Sequence, residues 1–236
     1  MLKIKNFTKK YGDTPAVDNL SIEIENGKIC AFIGHNGAGK TTTLKAIAGI
    51  LDFDEGEITV DGMSIKKNPM DVKRIMAYLP DNPDIYEFMS ATDYLNFIAD
   101  VYGMSQENRK TKIEKYAELF GITESLGNKL SEFSHGMKQK VAIISAIMHE
   151  PKLLLMDEPF VGLDPIASHQ LKDILHEMCE KGSCIFYSTH VLEVAEKLCD
   201  EVVIVKGGKL VKQGKMSDIK GDSSLENVFL ELEDKE

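Results

Sequence analysis

The stretch GHNGAGKT, from Gly34 to Thr41, narrows the choice of fold more than any other part of the chain. It fits GxxxxGK[ST], with an apolar run (Ile29 to Ile33) before it and helical spacing (TTTLKAIAGI) after it. Such a loop works only as a strand-to-helix turn. Gly34, Gly37 and Gly39 let the backbone curl until its N–H groups face nucleotide phosphates, Lys40 supplies a point charge, and the Thr41 hydroxyl suits Mg²⁺. His35, Asn36, Ala38 and Thr42 complete the predicted cradle. A buried strand feeding such a loop predicts an α/β fold of the P-loop kind.

Two later segments speak to the same chemistry. LLLMDEP, Leu153 to Pro159, reads as a buried strand ending in two carboxylates at the edge where open α/β sheets present ligands. Asp157 is expected to hold Mg²⁺ through water, and Glu158 to align the attacking water and take its proton. SEFSHGMKQK, Ser131 to Lys140, leads into the amphipathic run VAIISAIM. Ser134 and Gly136 would leave N–H groups bare where that helix starts, a second phosphate grip in a chain that already has one.

Around these segments the periodicity changes twice. SIEIENGKICAFIG alternates up to Asn26-Gly27 and GEITVDGMSI turns at Asp61-Gly62, so two hairpins are expected. From about Ser90 to Glu150 the pattern is helical: Ser90 and Asp93 form a capping box before Leu95, Ile98 and Val101, and Ile113, Tyr116, Ala117 and Phe120 make a second stripe. Strand signals return in KLLLMDEP, CIFYSTH and EVVIVKGGKLVKQG with helical stretches between, the rhythm of a parallel sheet. The expected division is one domain over 1–236, with an α/β core from 1–81 and 151–236 and a helical subdomain from 82–150.

Charge and cysteine content remove several function classes. A formal charge of -10 with two arginines, Arg74 and Arg109, does not offer the basic face a nucleic acid needs. The tail DSSLENVFLELEDKE reads as a solvated helix face. Cys30, Cys179, Cys184 and Cys199 show no metal spacing and imply a reducing cytosol. No apolar run approaches the roughly 18 residues of a spanning helix, and the first residues carry no signal-peptide core.

In order along the chain, Tyr11, GHNGAGKTT, FSHGMKQK, LLLMDEP, VGLDP and STH resemble the ATP-binding subunits of ABC transporters over nearly the whole length. The resemblance implies a RecA-like core with an antiparallel β portion, a helical subdomain, ATP and Mg²⁺ as ligands, and ATP hydrolysis coupled to a separate multi-span permease. It implies a homodimer or heterodimer in which each ATP lies between one subunit's phosphate loop and the other's signature segment, which explains the second helix start. Tyr11 would then stack on adenine, His190 touch the γ-phosphate, and Asp164 communicate across the dimer. Asp81 would stand at the Q-loop position, near Mg²⁺. It also implies a place on the cytoplasmic face of the membrane.

This chain departs from the family's usual LSGGQ, having Phe133, Ser134, His135, Gly136 and Met137, and it has Asp81 where glutamine is common. AYLPDNP and SLENVFLELE look most like the ABC-2 type exporters, and Ile85, Tyr86, Phe88 and Met89 offer apolar contacts to a permease helix. Two other readings are a non-transport ABC ATPase acting on a nucleic-acid or ribosomal partner, and a small-molecule P-loop kinase. The first would be expected to carry a basic surface, and the second a lid of arginines.

Overall fold

Leu20, Ile22 and Ile24 turn inward while Ser21 and Glu23 face water, which suits a sheet buried on one face only. In the computed structural model, which describes residues 1–83 and 85–233, these residues lie in β2 (Thr14–Ile24), paired antiparallel with β1 (Leu2–Tyr11). β3 is Ile29–Ile33, and the helix α1 (Lys40–Ile47) follows the phosphate loop. β4 (Glu55–Val60) adds to β1, and β5 (Met63–Ser64) folds back on β4. The turn between β4 and β5 is the expected Asp61-Gly62, both left-handed with φ of 52° and 78°.

The hairpin expected at Asn26-Gly27 does not form. β2 stays at the edge of the four-stranded sheet, in order β2-β1-β4-β5, while β3 enters a second sheet between β8 (Cys184–Thr189) and β9 (Glu201–Lys206). All five side chains of β3 are buried, Cys30 and Phe32 in one core, Ile29, Ala31 and Ile33 in the other. Such a strand needs a cover on both faces, which an edge hairpin with β2 lacks; a fully buried Ile or Phe contributes about 1.5–3 kcal/mol. Gly27 instead donates its N–H to Ser183 O at 3.1 Å, and the chain passes from one sheet to the other.

The second sheet has the order β10-β9-β3-β8-β7-β6, with β6 at Met76–Leu79, β7 at Leu153–Asp157 and β10 at Lys209–Lys215. Its strands are parallel except β10, because Gly207-Gly208 breaks EVVIVKGGKLVKQG into an antiparallel pair. α1 lies against the core shared by the two sheets.

The other helices are α2 (Pro69–Arg74), α3 (Ala91–Val101), α4 (Gln106–Leu119), α5 (His135–Ile147), α6 (Pro165–Glu180), α7 (Leu192–Leu198), α8 (Met216–Lys220) and α9 (Leu225–Glu233). The described part of 82–150 carries α3, α4 and α5 and shares one apolar cluster with the second sheet. Ser90 caps α3 by accepting from Asp93 N, as the sequence predicts, and its hydroxyl also donates to the Asp93 carboxylate at 2.6 Å. Ile113, Tyr116, Ala117 and Phe120 are all buried. Val101, expected inside, is 63% exposed: α3 ends there, and its last turn borders an open groove with Ile50 and Met70.

The cysteines are unpaired, and burial pushes Cys179, Cys184 and Cys199 up to about 12, well away from thiolate reactivity. Among the described residues no helix is long and apolar enough to cross a membrane.

Candidate active site

From Ile33 the chain turns through the glycine-rich loop into α1, pinned by Ala38 N donating to His35 O at 3.1 Å. The residue before α1 must be glycine. Gly39 has φ of 93°, and a Cβ there would lie 2.6 Å from Ala16 O. Gly39 brings no side-chain cap, so the first-turn N–H groups of α1 are left for an anion. Beside them is a cleft of 330 Å³ lined by Ala16, His35, Asn36, Gly37, Gly39, Lys40, Thr41, Thr42, Asp81, Asp157 and Glu158. The fold thus brings the loop, the acidic strand end and Asp81 to one place.

Lys40 Nζ folds back to donate to the carbonyls of Gly34 at 2.5 Å and His35 at 3.1 Å. Burial pulls its pKa below the ordinary lysine value, opposed by attraction to Glu158 and Asp157. Thr41 Oγ1 donates to Asp157 Oδ2 at 2.6 Å, while the other Asp157 oxygen accepts from Ser188 Oγ. Ser188 was not among the expected site residues. Its signal was a polar side chain directly after the apolar run CIFY, and it is fully buried. Thr41 and Asp157 form a pair of hard oxygens suited to Mg²⁺. Among the described residues no group of three or more His, Cys, Asp or Glu side chains is placed to hold a metal ion.

Glu158 follows β7 with φ of 50°, a left-handed backbone rare for a side chain of this size. Its Oε1 accepts from His190 Nδ1 at 2.9 Å, and its Oε2 receives a long bond, 3.4 Å, from His190 N. Two residues given separate expected roles at the nucleotide therefore meet within one chain. Both border a second cavity of 510 Å³ beside the first, with Gly34, His35, Asn36 and Asp81. Phe229 of α9 also lines it, its ring 5.1 Å from that of His35, so the acidic tail has an inward apolar face. Asp234 and Glu236 of that tail lie outside the described residues.

Other expected residues stand apart. Tyr11 closes β1, is 56% exposed, and does not border the cleft. Ser134 caps α5, accepting from Met137 N at 3.3 Å, and neither it nor Gly136 lines either cavity. Asp164 caps α6 through Ala167 N at 2.9 Å and pairs with Lys140 at 2.7 Å. The Lys140 ammonium, then the Ala167 N–H, hold its carboxyl below the usual aspartate range. Of the apolar residues beyond Asp81, Ile85 is buried, whereas Tyr86 and Phe88 are exposed.

Residues 17–161 match the family described as ABC transporter. An uncharacterised ABC transporter ATP-binding protein of Methanocaldococcus jannaschii is 38% identical over 92% of this chain and 79% of its own length. The ABC-type transporter ATP-binding protein EcsA of Bacillus subtilis is 34% identical over 98% of this chain and 96% of its own. A solved structure described as an ATP binding subunit of an ABC transporter superposes with a TM-score of 0.95 at 34% identity, covering 99% of both chains.

Proposed function

The chain belongs to the ABC transporter family of ATP-binding subunits, and from that premise we propose that it hydrolyses Mg-ATP between two such subunits to drive a separate permease. The single observation that carries the catalytic part is the meeting of the Lys40 loop, Asp157 and Glu158 around one cleft, with His190 bonded to Glu158 beside it. Lys40 leaves the loop carbonyls for the β- and γ-phosphates, which the bare start of α1 also receives. Bound Mg²⁺ would neutralise phosphate charge, held from the protein side by Thr41 and Asp157. Glu158, oriented by His190, takes a proton from the water whose oxygen attacks the γ-phosphorus. The bond to the β-γ bridging oxygen breaks, leaving ADP and phosphate.

A dimer is supported by the placement of the signature segment. Ser134 and Gly136 line neither cavity of their own chain, and in this reading they serve a nucleotide held by another subunit, identical or related. In this reading residues 82–150 form the helical subdomain that carries that tip, Asp164 lies near the dimer interface, Tyr11 stacks on adenine, and Asp81 approaches the metal through water. The permease docks at exposed Tyr86 and Phe88 and the neighbouring groove with Ile50, Met70 and Val101, placing the subunit at the cytoplasmic membrane face. Export is favoured by the ABC-2-like segments AYLPDNP and SLENVFLELE.

Glu158→Gln removes the base while keeping the binding groups. Hydrolysis is expected to fall by about 10²–10⁴, and ATP should drive the variant into a dimer visible by light scattering. Normal turnover, or a strictly monomeric ATP-loaded variant, would overturn the assignment.

A further inference from the structure

One face of α5, formed by His135, Gly136, Gln139 and Lys140, lies against the loop that runs from Glu158 to Asp164. Two glycines make the approach possible. A Cβ on Gly136 would lie 2.7 Å from Gly162 O, and a Cβ on Gly162 only 2.9 Å from His135 Cδ2 and 3.2 Å from His135 Nε2. The imidazole thus rests on a backbone with no side chain of its own. Farther along the helix Gln139 Nε2 makes a long bond of 3.5 Å to Pro159 O, and Lys140 pairs with Asp164 at 2.7 Å. The loop's own turn, Val161 N to Glu158 O at 3.1 Å, joins this clamp to the base.

We propose that His135 is a positioning residue: with Lys140 it fastens the 158–164 loop to α5, so that the signature tip and this chain's Glu158 move as one body. The proposal rests on the dimer described above. There, the tip that meets the partner subunit's nucleotide carries its own chain's base with it, and closing one site sets the geometry of the other. The histidine standing where the family has a glycine makes this contact tighter than a bare helix start could.

The test uses the full chain with His135→Gly, His135→Asn, Lys140→Gln and the double variant His135→Gly/Lys140→Gln. Each is measured for kcat and KM of Mg-ATP hydrolysis, affinity for a fluorescent ATP analogue, and ATP-driven dimerisation in the Glu158→Gln background. Displacing a catalytic group by about an ångström costs up to about 10²-fold, so His135→Gly should lower kcat by about tenfold or more. KM, analogue affinity and dimer fraction should stay unchanged. His135→Asn should recover part of the loss, and the double variant should lose less than the product of the two single losses. An unchanged kcat in His135→Gly overturns the proposal. So does a dimer fraction that falls along with kcat, since His135 would then be serving the partner's ATP directly. A parent Glu158→Gln chain that never dimerises rejects the function reading instead, separately from what His135→Gly does to kcat.

Discussion

The proposed function gives the starts of α1 and α5 the same task, offering backbone N–H groups to phosphate, yet they are finished in opposite ways. At α1 the preceding residue is a glycine at φ 93° with no side chain to satisfy the first turn, and Lys40, Asp157 and Glu158 stand around it. At α5 the preceding residue is Ser134, whose hydroxyl already accepts from Met137 N, and the surroundings are a loop of the same chain. One start has no side-chain cap and lies in the cleft; the other is a finished helix cap that, on the proposed function, meets a nucleotide only when another subunit supplies it. A helix terminus is therefore informative about function chiefly through what the rest of the fold places beside it.

The largest separation between the two ends should come from Gly39→Ala. Its Cβ would press on Ala16 O, so the loop must shift, and ATP affinity should fall by about 10²-fold or more, equivalent to roughly 3 kcal/mol. Calorimetric titration with Mg-ATP measures it, and undiminished binding would erase the special standing of α1.

Next in size is an acid response at the far end of α5. His149 follows that helix, stacked on Tyr102 with ring centroids 3.5 Å apart, and neither ring nitrogen makes a hydrogen bond of ordinary geometry. Burial lowers its pKa from 6.5 to about 4, only partly opposed by the nearby Ser145 and Met76 backbone. Between those values the unfolded chain takes up a proton that the folded chain refuses, so stability falls as pH drops from 6.5 toward 4. The slope is at most about 1.4 kcal/mol per pH unit. Urea unfolding across this range should show that His149→Phe flattens the slope; an unchanged slope would place the acid sensitivity elsewhere.

The smallest stability effect belongs to Ser134→Ala, about 1 kcal/mol for a lost cap. Its value lies in the contrast it draws: the isolated subunit should bind ATP as before, while turnover and ATP-driven dimerisation fall. If monomer affinity, read by the same titration, falls instead, Ser134 acts in its own chain's cleft and the distinction between the two helix starts collapses.

The loop and the acidic strand were legible because each couples a rare residue pattern to a strand end, whereas His190 was indicated only by the family resemblance. The alternation in β2 and the continuous apolar run of β3 were also plain. What they could not reveal was that two adjacent strands belong to different sheets, since Asn26-Gly27 satisfies local turn chemistry whichever partner β3 chooses. Ser188 and Phe229 were missed for a similar reason. Their roles depend on tertiary neighbours, Asp157 and His35, that no local period encodes. Val101 failed at a helix end, where spacing continues on paper after the packing partner has run out.

The left-handed backbone at Glu158 has a consequence for stability. A carboxylate on such a residue is held at a cost of about 1–3 kcal/mol, which a glycine would escape. With Glu158 in its proposed role as the base, a more stable backbone and a working site place opposite demands on this residue.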